Sequence, residues 1–279
     1  MRAPQRQRGG RAVSAEPAPC RGAGSASKVP ELTAAFWITK VLITGANVWW
    51  PDYLYGHFGA VDVSAVIGAA LVAVLALQFG APRYNAWIYW PTFAVVSVAG
   101  TEAANGLHRE LGFPYFIVTV SDLAALAVIL VVWRMSENTL SLRRIYAGRQ
   151  EIFYWAAVLA AFALGSGLAH VTTSPVGLGH AGQAGLALFG VMTGITALAW
   201  WRFHLNPIVA FWLAFVMTRP FGTALAIWLA TARDADGLGL GRWPVSLGLA
   251  VLAAGLVVYL AVGPVPARRH TARGTPPGR

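Results

Sequence analysis

The sequence predicts an all-α polytopic membrane protein with about eight transmembrane helices, arranged as four parallel hairpin repeats. Two observations support this fold class. The chain of 279 residues is 57% hydrophobic and only 11% charged, whereas a typical soluble domain is about 25% charged. In addition, a pair formed by an aromatic residue and Trp occurs four times, at intervals of 53, 65 and 57 residues. A recurring interval of this size indicates one supersecondary unit used repeatedly.

Eight apolar runs approach or exceed the roughly 20 residues that cross a bilayer as a helix. Helices are expected because they satisfy their own backbone hydrogen bonds in lipid. The sequence also lacks the short alternating segments that are typical of transmembrane strands. The predicted spans are 31–51, 60–80, 86–107, 114–134, 151–171, 181–203, 207–230 and 244–264.

One membrane domain is predicted at 28–264, between two tails. The tail at 1–27 is rich in Arg, Ala, Gly, Pro and Ser and has no apolar region like that of a secretory signal, so it is predicted to be disordered. An overlong start site is the alternative. The segment 265–279 is a similar basic tail. The domain divides into repeats at approximately 28–82, 83–148, 149–204 and 205–264.

The basic residues concentrate in one set of loops. The tails and the turns after the second, fourth and sixth predicted helices hold most of them, whereas the other turns hold only Arg109, Arg233 and Arg242. This asymmetry predicts a multi-pass protein of the inner (plasma) membrane with both termini cytoplasmic. Topology thus accounts for the net charge of +10. We therefore predict the lipid bilayer as a partner and no nucleic acid, and we leave the oligomeric state open.

The four repeats share positions that can be counted from their tryptophans. Ten residues after the Trp, three copies have Gly followed by Thr or Ser, whereas the first copy has Asn47-Val48. Small residues allow close helix packing and hydroxyls can bond across helices, so packing is the expected role of these pairs. The repeat tryptophans are expected to be packing anchors, with substrate contact as the alternative. They are Trp37, Trp90, Trp155 and Trp212.

The residue fifteen positions after each Trp is expected near the outer end of its helix, because fifteen helical residues rise about 22 Å. Each hairpin runs in, out and in again, so the repeats share one orientation and their pseudo-axis follows the membrane normal. These four positions should therefore lie at one depth. They are Asp52, Asn105, His170 and Ile227.

Three segments resemble a family of bacterial proteins built of four tandem two-helix repeats of unknown function, commonly described as uncharacterised membrane-anchored proteins. The segments are Lys28–Glu31, Phe36–Lys40 and Phe211–Gly222, and the resemblance covers about 28–264. Members of that family tend to carry Asp at the position fifteen after the Trp. This chain keeps only Asp52 there, so it resembles a divergent member. The resemblance implies the fold but no established reaction.

Four charged residues lie well inside predicted helices, away from the helix ends: Lys40, Glu102, Asp122 and Arg219. A charge at the bilayer centre costs about 2.5–3.5 kcal/mol on insertion scales, so such groups face the bundle and find partners. They are candidates for a solute pathway or for a structural ion-pair network. Snorkelling is a further alternative for Lys40. We expect Arg219 to pair with Asp122 rather than with Glu102, because Asp122 lies deeper in the predicted bilayer.

The sequence predicts no metal site, no cofactor and no enzymatic activity. His57, His108, His170 and His180 map to the outer side, but no two have ligand spacing on one helix. No phosphate-binding loop, nucleophile elbow or His-Glu-x-x-His motif is present. The single Cys20 excludes an intramolecular disulfide.

The leading functional hypothesis is a transporter or channel-like protein for a small solute or ion, with a path lined by the first helix of each repeat. The alternative is a non-transporting membrane scaffold or sensor with purely structural intramembrane charges. A membrane-embedded enzyme is a third possibility. Water access to Arg219 or Asp122 would favour transport, whereas sealed and mutually paired side chains would favour the scaffold.

Overall fold

The computed structural model describes residues 27–137, 140, 145, 148–173, 183–235 and 237–262. The described residues form nine α-helices and a short 3-10 helix at Arg233–Ala235. The α-helices are α1 Ala34–Ala46, α2 Trp50–His57, α3 Ala60–Gly80, α4 Ala86–Leu111, α5 Tyr115–Glu137, α6 Arg149–Thr173, α7 Gln183–Arg202, α8 Pro207–Ala230 and α9 Arg242–Val262. The tails predicted at 1–27 and 265–279 lie outside the described residues, except for Ser27.

The prediction of an all-α polytopic membrane protein is confirmed. Six helices are long and apolar enough to cross a bilayer, namely α3, α5, α6, α7, α8 and α9. The helices α1 and α4 are not among the six. The first has only 13 residues, and the second carries Glu102, His108 and Arg109 in its last three turns.

The predicted first span at 31–51 is wrong in its details. The helix α1 begins at Ala34, where the Thr33 side chain accepts a hydrogen bond from the Phe36 amide, and it ends at Ala46. A separate helix, α2, begins at Trp50, and Pro51 lies in its first turn. Proline is tolerated there because the amides of the first turn have no partner within the helix. Asp52 therefore lies on α2 rather than on the first helix of the bundle.

The helices form two concentric rings. The first helix of each repeat lies in the inner ring, where α4 packs on α6, α6 on α8 and α8 on α1. Each second helix packs mainly against the first helix of the next repeat: α3 on α4, α5 on α6 and α7 on α8. The last helix, α9, returns to α1 and closes the outer ring. The hairpins are therefore interlocked around a circle.

The two rings differ in burial. In the outer ring, 6% of the residues in the most apolar stretch of α3 and 17% of those in α7 are buried. In the inner ring, the corresponding shares are 61% for α6 and 56% for α8. The uniformly apolar second helices thus present their side chains to lipid, whereas the first helices carry the repeated pattern inward.

The interfaces of the inner ring use equivalent residues in equivalent register. A Cβ on Gly100 of α4 would lie 2.7 Å from the carbonyl oxygen of Leu159 on α6. A Cβ on Gly165 would lie 3.1 Å from the Val216 carbonyl oxygen on α8. One on Gly222 would lie 2.9 Å from the carbonyl oxygen of Val41 on α1. In each case the residue ten after one Trp meets the residue four after the next Trp.

The fourth interface, between α1 and α4, keeps this register but replaces packing with hydrogen bonds. Asn47 stands where the other repeats have Gly, and its amide nitrogen donates to the Ala94 carbonyl at 3.3 Å and to the Ser97 hydroxyl at 2.9 Å. Ala94 lies four residues after Trp90. The inner ring is thus closed by four related contacts, around an axis that the parallel repeats share.

Aromatic side chains fill the centre of this ring. Phe93, Phe162 and Phe215 come from three different helices, and their ring centroids lie 5.2 to 6.0 Å apart. All three are fully buried. Trp90, Trp155 and Trp212 are buried in the same core, whereas Trp37 is half-buried. The location of the repeat tryptophans agrees with the packing role expected from the sequence.

Candidate functional site around Arg219

Arg219 lies on α8, facing the centre of the inner ring, and is 5% exposed. Its guanidinium donates from Nη2 to the Thr101 hydroxyl at 2.6 Å and from Nη1 to the Thr223 hydroxyl at 3.0 Å. Nη1 also donates to the Thr44 carbonyl at 3.5 Å. The Nε atom is buried and has no hydrogen-bond partner. Hydroxyl and carbonyl oxygens from three inner helices therefore hold this cation.

The Gly-Thr and Gly-Ser pairs build the site in two ways. The glycines allow the helices to approach, since a Cβ at Gly165 would lie 2.7 Å from the Arg219 Cβ. The hydroxyls that follow the glycines then point at the guanidinium or at each other: Ser166 donates to Thr101 at 3.1 Å, and Thr101 donates to the Ser97 carbonyl at 2.9 Å. These pairs therefore pack the helices, as the sequence predicts, and their hydroxyls also form the hydrogen bonds of the Arg219 site.

The predicted ion pair between Arg219 and Asp122 is wrong. Among the described residues Arg219 forms no ion pair, and Asp122 is 7% exposed with Oδ2 buried and unpartnered. Topology gives the reason. Asp122 lies on α5 in the outer ring, and α6 separates α5 from α8, because Gly167 contacts Thr119 of α5 while Gly165 contacts Arg219.

Lys40 lies one turn below this level and is completely buried. Its Nζ donates to the Phe215 carbonyl at 2.9 Å and to the Thr218 hydroxyl at 2.7 Å. It also lies 4.2 Å from the Phe215 ring centroid and 5.1 Å from that of Phe162. The side chain points to the ring centre, so the snorkelling alternative is wrong. No described carboxylate pairs with it either.

Charged and polar side chains also cluster at the predicted outer end. Glu102 is paired with Arg109 at 2.7 Å, and the Arg109 guanidinium lies 4.2 Å from the ring centroid of Tyr55. Asp52 lies nearby on α2: burial raises the pKa of its carboxyl and the Glu102 carboxylate raises it further, whereas Arg242 and Arg109 oppose the shift. Glu102 is thus neutralised locally and does not reach Arg219.

The positions fifteen after each Trp do not form one uniform set. Asn105, His170 and Ile227 lie on the continuous inner helices α4, α6 and α8, in corresponding turns. Asp52 departs from them because the chain breaks between α1 and α2. His170 belongs to an aromatic stack in which Tyr115 lies between it, at 4.2 Å, and His108, at 4.0 Å. His180 lies outside the described residues.

A second buried cluster, which sequence reasoning missed, lies at the predicted cytoplasmic end. Lys28 is 1% exposed and its Nζ forms an ion pair with Glu151 of α6. Glu151 also accepts a hydrogen bond from Gln78 at 3.0 Å, and Lys28 donates to the carbonyls of Gln78 and Phe79. The sequence analysis placed Lys28 at the start of the membrane domain, just before the first predicted span. Glu151, at the start of a helix, gave no signal that distinguished it from a solvated first-turn acid.

An apolar groove of 450 Å³ lies on the side of the bundle, between α1, α7 and α8. Trp37 and Phe211 line it, together with Thr193, Thr196 and Thr218. Thr218 is also the partner of Lys40. Across the described ranges, no group of three or more His, Cys, Asp and Glu side chains is arranged to hold a metal ion.

The chain matches a protein family in two segments. Residues 88–139 and 210–262 each match the family described as a Repeat of Unknown Function (DUF347). The first segment covers most of α4 and all of α5, and the second covers most of α8 and all of α9. The predicted resemblance to a tandem-repeat family of unknown function is confirmed. No curated protein and no solved structure matches the chain.

Proposed function

We propose that this protein, which carries two recognisable copies of a repeat of unknown function, transports a small solute or ion through the centre of its inner ring. The Arg219 site is the proposed binding site. The observation that carries the proposal is a permanent cation in the centre of the bundle whose described partners are hydroxyl and carbonyl oxygens, without a carboxylate. Intramembrane charges of this kind commonly mark solute or ion pathways.

The surroundings of Arg219 support access from the predicted outer side. Its partners Thr101 and Thr223 are half-buried, as are Glu102 and Asn105 on the turn above them. Below Arg219, the phenylalanine cluster and Lys40 fill the axis and are fully buried. In the proposed transporter, this arrangement corresponds to a state closed on the cytoplasmic side, in which the aromatic side chains must move for a solute to pass.

The same aromatic cluster favours the second candidate, a non-transporting scaffold or sensor. Phe93, Phe162 and Phe215 pack as a closed core would, and a closed core needs no pathway. This reading leaves the hydroxyl-held cation at the centre without a purpose, whereas a solute site gives it one. We therefore rank transport first and a scaffold second, and we propose no enzymatic reaction.

The proposed orientation follows the arginine asymmetry. Both termini and the loop at 138–148 are cytoplasmic, and the turns after α2, α4 and α8, together with the segment 174–182, face outward, in the inner (plasma) membrane. Single cysteines at Ser141 and Gly177, in a background with Cys20→Ser, test this with an impermeant thiol reagent. Modification from outside at Gly177 but not at Ser141 is expected, and the reverse pattern overturns the orientation.

Transport is tested with purified protein in liposomes by following swelling in a panel of small neutral and ionic osmolytes. Swelling in at least one osmolyte, relative to empty liposomes, is the expected result. Arg219→Gln should reduce that rate at least tenfold. Arg202→Gln, a change at the exposed end of α7, is the matched control and should leave the rate unchanged. Equal rates in protein-containing and empty liposomes for the whole panel would support the scaffold instead.

A further inference from the structure

We infer that the ligand of the Arg219 site is a small monovalent oxyanion, such as a simple carboxylate. The inference deepens the proposed function and rests on it for the route of the ligand. The charges, the free donors and the close contacts around the guanidinium support the binding of such an anion.

The centre of the bundle carries an excess of positive charge. Lys40 and Arg219 are both buried there, one turn apart in the repeat register, and neither has an ion pair with a described carboxylate. Lys40 uses the Phe215 carbonyl and the Thr218 hydroxyl. A desolvated guanidinium without a counter-charge is unfavourable in lipid, and Arg219 cannot relieve it by losing a proton, because guanidinium stays protonated in proteins. A bound anion would supply the missing counter-charge.

The hydroxyls around Arg219 position the guanidinium and leave its charge in place. The Thr101 proton is directed to the Ser97 carbonyl, and the same oxygen accepts from Ser166 and Arg219. The hydrogen-bonding capacity of Thr101 is therefore used completely, since a hydroxyl has one donor and two acceptor positions. The cation is fixed by neutral groups, as expected where an anion is to be recognised.

Two donors of the guanidinium remain for such a ligand. A guanidinium has five N–H groups. Nη1 uses two, on Thr44 and Thr223, and Nη2 uses one, on Thr101. The remaining pair comprises Nε–H, which is buried and unpartnered, and one N–H of Nη2. Two donors on a flat, rigid fork match the two oxygens of a carboxylate or a similar oxyanion.

The space around Arg219 limits the ligand to a small one. Gly165 packs directly on the aliphatic part of the side chain, and a Cβ there would lie 2.7 Å from the Arg219 Cβ. The buried rings of Phe162 and Phe215 close the site from below. The half-buried Thr101 and Thr223 leave the outer side as the way in. These close contacts favour a compact oxyanion over a bulky one.

Thermal unfolding of the purified protein in detergent tests the inference. Sodium formate, sodium nitrate, sodium chloride and sodium sulfate are compared at equal ionic strength, and choline formate checks that the cation is irrelevant. Formate and nitrate should raise the Tm in a saturable way, and sulfate should not. A rise with chloride equal to that with formate would overturn the preference for an oxyanion. No rise with any anion would overturn anion binding altogether.

Two variants tie the effect to Arg219. Arg219→Gln should abolish the rise, and Arg219→Lys should weaken formate binding at least tenfold because ammonium lacks the planar fork. If Arg219→Gln does not fold, Thr223→Val supplies the test, since loss of a partner that positions Nη1 should weaken formate binding severalfold. The same formate affinity in Thr223→Val and Arg219→Lys as in the unmodified protein would place the anion elsewhere and overturn the inference.

The liposome assay separates this inference from the proposed function. Formate binding without swelling in any osmolyte would preserve the anion site and refute transport. Swelling without any anion-dependent rise in Tm would preserve transport and refute the anion. Loss of both signals would refute both.

Discussion

Two buried cations of this protein, Lys28 and Arg219, are treated in opposite ways by the fold. Lys28 has a carboxylate partner in Glu151, which Gln78 also holds. Arg219 has hydroxyl and carbonyl partners only, and its Nε has none. A structural charge is normally completed by an opposite charge, because an unpaired one is expensive to bury. Under the proposed function, Lys28 fastens the end of the bundle, whereas Arg219 stays available for a ligand.

The same contrast separates the two ends of the inner ring. Toward the predicted cytoplasmic side, the ion pair at Lys28 and the cluster of phenylalanines form a closed and fully buried core. Toward the outer side, the inner helices carry polar residues that are only half-buried, such as Thr101, Asn105 and His170. Under the proposed function, one end provides stability and the other provides access for the ligand. Four measurements test this distinction.

The largest expected effect follows the loss of the Lys28 partner. Glu151→Ala leaves a buried ammonium without its carboxylate and should lower the free energy of unfolding by about 3–5 kcal/mol. Lys28→Met combined with Glu151→Leu removes both charges and should recover most of the loss. Denaturant titration in detergent measures both variants. Additive losses in the double variant would show that the two side chains do not act as a pair.

The close contacts of the inner ring come next. Gly100→Ala places a Cβ 2.7 Å from the Leu159 carbonyl oxygen and 2.7 Å from the Phe162 Cβ, and overpacking of this kind costs about 1–3 kcal/mol. Gly68→Ala on α3 is the matched control, since nothing lies within 4 Å of its Cβ position. It should be neutral or slightly stabilising. Equal stability of the two variants would refute the described register.

The smallest effect on stability is expected at Arg219. Arg219→Gln loses hydrogen bonds to hydroxyls, but it also removes a buried cation that has no described carboxylate partner, so the net change should stay below about 1 kcal/mol. Transport and anion binding should nevertheless be lost. A destabilisation as large as that of Glu151→Ala would mean that Arg219 is structural too, and the comparison with Lys28 would fail.

Periodicity and composition predicted the fold well. The spans at 60–80 and 207–230 coincide with α3 and α8, because long apolar runs with clear ends leave few alternatives. The break between α1 and α2 was not predicted, since Val48, Trp49 and Trp50 continue the apolar run beyond the end of α1. The tryptophan count identified the equivalent glycines that pack at the inner-ring contacts, although it could not show which helices are neighbours or which residues the glycines meet.

The site was predicted only in part. Lys40 and Arg219 stood out as charges inside apolar runs, and both lie in the ring centre. Their partners could not be predicted, because pairing by charge favoured Asp122 over neutral hydroxyls. That choice needs the ring arrangement, in which α6 separates α5 from α8. The partnership of Lys28 with Glu151 joins residues far apart in sequence, and no local pattern announces it.

Water access to Arg219 tests the central distinction most directly. Single cysteines at Thr101, Thr223 and Ile145 are introduced with Cys20→Ser, and solubilised protein is treated with a charged thiol reagent. Ile145, which is fully buried and whose carbonyl accepts from the Lys28 amide, represents the closed end. The account predicts modification at Thr101→Cys and Thr223→Cys but not at Ile145→Cys. Protection at all three positions would contradict it, because Arg219 would then be sealed from solvent as Lys28 is.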